Sequence, residues 1–339
     1  MKNIFELSKE RVIITAEIGI NHNGDLNTIF KLIDKAKESG VDAVKFQAYK
    51  TEHMYSKYTP GFSHTENNIF EQLKNYEIKD EWWKEIKNYV KDKGLIFSAS
   101  IFDRYSLEII KGIGIDFVKV ASSEINNLPF LKEQIFLSDV FVISTGMAYL
   151  DEITSTVKFL RENKIEKIFV LECTSIYPAP YDAVYLKNIE FFKNIFSLPS
   201  GFSDHTQGIA HSIAAVAMGA RFIEKHFTLN KEMKGPDHKL SSDPEEMKLL
   251  LNSIRDVEKS LKANNKLSIS QEENESRKIA RKSLIALKDL KKGEVINENN
   301  TVFKRPGFGI KINEFSLVKG KRLKNDVLKD KWITWDDIE

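Results

Sequence analysis

From residue 12 to about residue 260 the chain alternates two textures. Short runs rich in β-branched and aromatic residues occupy 12–16, 41–46, 95–98, 116–120, 140–144, 168–171, 200–203 and 221–225. Runs of this length, apolar on both faces and bounded by polar residues, predict fully buried strands. Between them lie stretches with apolar positions every three or four residues, such as 26–39, 153–162 and 244–261. The first of these sets Ile29, Phe30, Ile33 and Ala36 on one helical face and lysines on the other. Strand then helix, eight times over, predicts a (β/α)₈ TIM barrel. A doubly wound open sheet is the rival. It ordinarily has fewer strands and a glycine-rich dinucleotide turn, and none follows the first run here.

Two stretches break the period. Between Lys50 and Asp80 lies a polar segment carrying Tyr55, Tyr58, Pro60, Phe62, His64 and Phe70, too long for an ordinary connection. It leaves from the C-terminal rim, where barrel active sites are built. Residues 262–276 are rich in lysine, asparagine and glutamate and read as a linker. Beyond it, 277–339 shows short alternating segments at 283–286 and 301–304, broken by turn signals at Lys292-Gly293 and Pro306-Gly307. The predicted organisation is a barrel over 1–261, a linker over 262–276 and a small β-rich module over 277–339. A module of about 60 residues is marginal by itself.

Composition narrows the function. Hydrophobic residues are 42% of 339, enough for a large core, and 51 basic residues nearly balance 49 acidic ones. No block of like charge gives a nucleic acid a footprint. No run approaches the roughly 20 apolar residues of a membrane span, and the N-terminus has no apolar signal core. Cys173 is the only cysteine, so no disulfide forms within the chain, and the expectation is a cytoplasmic protein.

The chemistry lies at the ends of the predicted strands: Glu17, Lys45, Ser98 to Ser100, Lys119 to Glu124, Ser144-Thr145-Gly146, Cys173-Thr174-Ser175, Ser203-Asp204-His205 and Glu224-Lys225-His226. Buried lysines are costly unless they meet anions. Lys45, Lys119, Ser100, Ser122, Ser144 and Ser203 would converge as cations and hydroxyls able to hold a phosphate without a P-loop. His205 and His226 are 21 residues apart, one βα unit, so they would end neighbouring strands on the same rim. With Glu17, Asp204 or Glu224 nearby they form a candidate divalent-metal site; the alternative is a histidine bonded only to backbone. His22 and His238 flank rim loops, His211 lies in a helix pattern, and His53 and His64 fall in the insertion. Glu124 is a candidate for moving protons. Cys173 has no partner in sequence that marks a nucleophile and reads as an ordinary strand residue.

In order, these segments resemble the N-acetylneuraminate (sialic acid) synthase family, which includes legionaminic and pseudaminic acid synthases. The resemblance is carried by residues 16–24 (AEIGINHNG), 44–47 (VKFQ), 144–147 (STGM), 177–180 (YPAP), 201–206 (GFSDHT), 223–229 (IEKHFTL), 235–238 (GPDH) and 304–307 (KRPG). It implies condensation of phosphoenolpyruvate with an N-acetylated hexosamine, N-acetylmannosamine or a 2,4-diacetamido-trideoxyhexose. It further implies a barrel fused to a small antifreeze-like (SAF) domain in a domain-swapped homodimer, and manganese or magnesium on His205 and His226. Lys45, Ser100, Lys119, Ser122, Ser144, Ser175 and Ser203 are implied to bind phosphoenolpyruvate. Tyr177 is implied to line the substrate site, Glu17, Glu124 and Asp237 to contact the sugar or the reacting centre, and Arg305 to reach a partner's sugar N-acetyl group. Three positions depart from the family pattern: Ser100 replaces a threonine, Ser123 a glycine, and Ser175 an asparagine or threonine. The residues alone also leave room for an aldulosonate synthase acting on a sugar phosphate, or a non-catalytic sugar-binding or scaffold protein. The first calls for more cations than the insertion offers; the second, for loss of Lys45 or a histidine that is present.

Overall fold

The computed structural model describes residues 3–60, 69–262 and 269–339. Phe62 and His64 lie outside them. Eight parallel strands, β1 (Ile13–Gly19), β2 (Ala43–Ala48), β3 (Ile96–Ile101), β4 (Phe117–Val120), β5 (Val140–Ser144), β6 (Lys167–Cys173), β7 (Ser200–Asp204) and β8 (Phe222–His226), close into a barrel in sequence order. Every predicted strand is present. Helix α1 (Ile4–Ser8) precedes the barrel and α2 (Leu26–Ser39) follows β1. The connection after β2 carries α3 (Thr51–Met54) and α4 (Ile69–Lys74) before the helix α5 (Trp82–Asp92). Around the rest run α6 (Arg104–Ile113), α7 (Leu128–Gln134), α8 (Leu150–Glu162), α9 (Asn188–Phe196), α10 (Ala210–Ala217) and α11 (Pro244–Lys262).

Local chemistry sets the helix limits. Asp25 caps α2 by accepting from the Thr28 amide at 2.8 Å, and Gly40 ends it in the left-handed conformation at φ 89°. The buried face is Ile29, Leu32, Ile33 and Ala36, with Phe30 only partly covered.

Inside the barrel, side chains divide by height. Below, Phe117, Phe169 and Phe222 pack edge to face or tilted at 5.3–5.8 Å, and Ile4 of α1 joins this apolar plug. Above it stand Glu17, Lys45, Ser98, Ser100, Lys119, Ser203 and Glu224, all buried. The apolar floor excludes water from beneath these groups, so charges there act in a low-dielectric setting.

A second unit begins after Lys262. Its strands β9 (Ser283–Ala286) and β10 (Thr301–Lys304) pair antiparallel over the predicted ranges, and Leu284, Leu290, Ile296, Leu323 and Ile333 form its own small core. A short helix α13 (Phe315–Val318) completes it. One expectation is corrected here. Residues 271–276 belong not to a linker but to the helix α12 (Gln271–Ala280). Ser270 caps it by accepting from the Glu273 amide, a Ser-x-x-Glu signal that the sequence displayed.

Candidate active site

Barrel register assembles the polar layer. Glu17 pairs with Lys45 and Lys45 with Ser98, while Gln47, Ser100 and Lys119 stand level across β2, β3 and β4. Several of these groups lie within the strands rather than at their ends: β1 continues two residues past Glu17 and β2 three past Lys45. The barrel mouth is therefore deeper than the sequence suggested.

Two lysines form the centre. Lys45 Nζ lies 2.9 Å from Glu17 Oε2 and donates to Ser100 Oγ at 3.2 Å. Lys119 Nζ donates to Ser144 Oγ at 2.8 Å. Between them Glu224 Oε1 stands 3.8 Å from Lys45 and 3.4 Å from Lys119, and accepts from Ser203 Oγ at 3.1 Å. Burial favours neutral groups, but Lys119 and Lys45 hold the Glu224 carboxyl below the ordinary glutamate value. Burial pushes Lys119 down. It also acts against charge on Lys45, yet Glu17 and Glu224 keep that ammonium above its ordinary value. Burial raises Glu17, whose Oε1 accepts from Gln47 Nε2 at 3.1 Å.

Beside the lysines lies a cluster of hydroxyls. The Gly146 amide donates to Ser122 Oγ at 3.1 Å. A Cβ at Gly146 would fall 2.2 Å from Ser175 Oγ and 2.9 Å from Ser122 Oγ, so only glycine lets these two hydroxyls approach the end of β5 together. Ser123 is exposed in a short 3₁₀ turn, 122–124, so its side chain does not crowd the loop. Glu124 is half-buried in the same turn and accepts from Asn127 Nδ2 at 2.9 Å; burial raises its pKa.

His205 and His226 meet as expected, ring centroids 5.3 Å apart. His205 Nδ1 lies 2.7 Å from the Thr174 carbonyl, which fixes the ring and leaves Nε2 for a ligand. His226 Nδ1 is buried with no hydrogen-bond partner and lies 3.6 Å from Asp237 Oδ2. Burial drives His226 well below the ordinary histidine value, with the neighbouring cations adding to it, so this imidazole is a neutral donor. Burial also raises Asp237 to about 6. Among the described residues no three His, Cys, Asp or Glu side chains gather as a preformed metal cage. Burial opposes charge on His205, but Cys173 and the Thr174 carbonyl raise its pKa, so of the two rings His226, with its orphaned buried nitrogen, is the neutral donor. With His205 giving up a proton on binding, the pair fits a divalent ion that keeps positions open for other ligands. Tyr177 covers both rings, 4.2 Å from His205 and 5.8 Å from His226.

Some expectations shift. Asp204 faces the helix layer, not the imidazole pair, and its carboxylate is consumed by Lys225, Thr206 and Ser212. Cys173 is more than a strand residue. It faces the mouth with Sγ 3.9 Å from His205 Nδ1 and 3.5 Å from Ser122 Oγ; although burial raises a thiol, His205 brings it down to about 6. His22 and His238 are buried in loop bonds, to the Gly24 amide and to Thr228. His211 stacks on Tyr181 and His53 on Tyr105. Sequence reading passed over Gln47, two residues after Lys45 on the same strand face, a signal that alternation supplies. Arg305 is exposed just after β10 in the second unit.

A closed (β/α)₈ barrel whose mouth gathers two buried lysines, carboxylates, hydroxyls and a pair of imidazoles has the architecture of a barrel enzyme with its site at the C-terminal face. The chain belongs to the NeuB family, whose model matches residues 32–266, and a SAF domain matches 281–339. It is 41% identical over 332 residues to the N,N'-diacetyllegionaminic acid synthase of Campylobacter jejuni, covering 96% of this chain and 99% of that protein. Human N-acetylneuraminate-9-phosphate synthase is 35% identical over 73% of this chain and 70% of its own length. Among solved structures, the citrate complex of N-acetylneuraminic acid synthetase from Leptospira borgpetersenii aligns with a TM-score of 0.69 at 32% identity, covering 78% of this chain and 90% of that one.

Proposed function

We propose that this chain joins phosphoenolpyruvate to an N-acetylated hexosamine in its open aldehyde form, giving a nonulosonic acid of the sialic acid type and inorganic phosphate. The observation that carries the reading is the pair of buried lysines, Lys45 and Lys119, with serines 2.8–3.2 Å from their ammonium groups. The 2,4-diacetamido-trideoxyhexose is the acceptor we favour over N-acetylmannosamine, supported by the near full-length match to a diacetyllegionaminic acid synthase.

The reaction forms a bond between the methylene carbon of phosphoenolpyruvate and the aldehyde carbon, adds water at C2, and breaks the C2–O bond to phosphate. Lys45 and Lys119 bind the carboxylate and phosphate and offset the charge that grows on the leaving phosphate. Ser100, Ser122, Ser144, Ser175 and Ser203 donate to its oxygens. Glu124, with its pKa raised by burial, gives or takes the proton at the water or aldehyde oxygen. Glu17, Asp237 and Tyr177 orient the sugar and keep water off it. His205 and His226 would hold manganese or magnesium, which supplies Lewis-acid polarisation of a carbonyl. We further propose a cytoplasmic homodimer in which Arg305 of one copy reaches the sugar N-acetyl group bound by the other.

The test is phosphate release from phosphoenolpyruvate with each candidate sugar, using phosphoenolpyruvate labelled with ¹⁸O in the bridging position. The label is expected in phosphate with the diacetamido sugar. Label retained in the organic product, or no release with any N-acetylated sugar, would overturn the assignment.

A further inference from the structure

Asp204 and Lys225 stand one residue before His205 and His226 on neighbouring strands and are register partners. Strand alternation sends their side chains the opposite way from the imidazoles, into the helix layer. There Lys225 Nζ lies 3.0 Å from Asp204 Oδ2 and donates to the Thr206 carbonyl at 2.6 Å. Asp204 Oδ1 accepts from the Thr206 amide at 2.8 Å and its hydroxyl at 2.7 Å, and Oδ2 accepts from Ser212 of α10 at 2.6 Å. Both charged side chains are completely buried.

A buried ion pair adds little net stability over well-packed apolar residues of the same volume. Its distinguishing property is geometric: bonds of fixed direction permit one arrangement where apolar contacts permit several. This pair locks β7, the turn 204–206 and β8 to one another at the point where the imidazoles emerge. His205 has an orienting bond of its own to Thr174, but His226 Nδ1 has none, so the placement of that ring depends on the backbone that Lys225 anchors.

We propose that the Asp204–Lys225 pair is the positioning device of the metal centre, setting the 5.3 Å separation of the two imidazoles from behind the barrel wall. The inference rests on the reading of His205 and His226 as metal ligands. Groups that orient ligands in this way typically govern metal affinity by about 10- to 100-fold.

The experiment is a titration of the full-length protein with manganese, following the free ion by electron paramagnetic resonance, beside thermal unfolding. Lys225→Met is expected to weaken manganese binding about tenfold or more. The double variant Asp204→Asn with Lys225→Met removes both buried charges; it should regain thermal stability while its manganese affinity stays low. A purely structural pair would lower the unfolding temperature and leave the affinity of the folded protein unchanged, and that result overturns the proposal. Should Lys225→Met not fold, Thr206→Val and Ser212→Ala each delete one bond to Asp204. Weaker manganese binding by either, at a near wild-type unfolding temperature, supports the proposal, and unchanged affinity in both overturns it. Absence of binding by the wild type would instead defeat the reading of the histidines as ligands, a result distinct from normal binding by every variant.

Discussion

Lys119 reaches from β4 to Ser144 at the end of β5, Nζ to Oγ 2.8 Å, with the Glu224 carboxylate 3.4 Å away on the opposite wall. The ammonium is thus held between a hydroxyl and a carboxylate in the barrel interior, while burial, with neighbouring Lys45 adding to it, lowers its pKa. An incoming dianion would be bound by a cation whose position is already fixed. Replacement of Lys119 or Lys45 by methionine removes a charge-assisted bond worth roughly 1.5–3 kcal/mol. KM for phosphoenolpyruvate is expected to rise about tenfold or more. Steady-state phosphate release measures it, and unchanged KM and kcat in both variants would leave the lysines without a role.

Gly146 sits where a side chain would strike Ser175 Oγ at 2.2 Å and Ser122 Oγ at 2.9 Å. Gly146→Ala is expected to displace both hydroxyls and raise KM for phosphoenolpyruvate, with circular dichroism unchanged. Wild-type kinetics would show that the hydroxyls take no part in holding the anion.

His226 carries an orphaned buried nitrogen beside Asp237. Chelator treatment should abolish turnover and manganese or magnesium should restore it. His226→Ala is expected to stay inactive with either ion. Full activity of that variant in chelator would exclude the ligand role.

Glu172, bonded to Asn188 of α9, gives a pH test on the helix side of β6. It is buried on β6, accepts from Asn188 Nδ2 at 2.9 Å, and is raised by burial from 4.5 to about 7. The native state therefore keeps a proton that the unfolded chain gives up near pH 4.5. Stability falls as pH rises from about 4.5 through 7, and is lower above that by at most about 3 kcal/mol. Glu172→Gln should remove this loss, so urea midpoints of variant and wild type should diverge at pH 8 and converge near pH 4. Parallel profiles would show that Glu172 ionises normally.

Arg305 is exposed in the second unit. If it serves a partner's sugar site, co-expressed Arg305→Ala and His226→Ala chains should form mixed dimers with activity, since the intact barrel receives an intact arginine from the other copy. Each variant alone should be nearly inactive. Inactive mixed dimers, with wild-type dimers prepared in the same way active, would refute the exchange.

All eight strands and the edges of α2 were legible because burial on both faces writes continuous apolar runs, and caps such as Asp25 and Gly40 are local. The meeting of His205 and His226 was legible too, since one βα unit advances the chain by one strand. The sequence by itself thus determined the barrel, its order and the groups at its mouth. The tertiary structure alone decided which way each faces. Asp204 and His205 are adjacent and cannot both point inward, but alternation does not say which does until the strands are in register. Closure turned Asp204 onto Lys225 behind the wall and brought Cys173 to His205. It also placed Glu224 between two lysines from strands far apart in sequence. Those relationships are non-local, set by the shear of a closed sheet, and no window of sequence contains both partners.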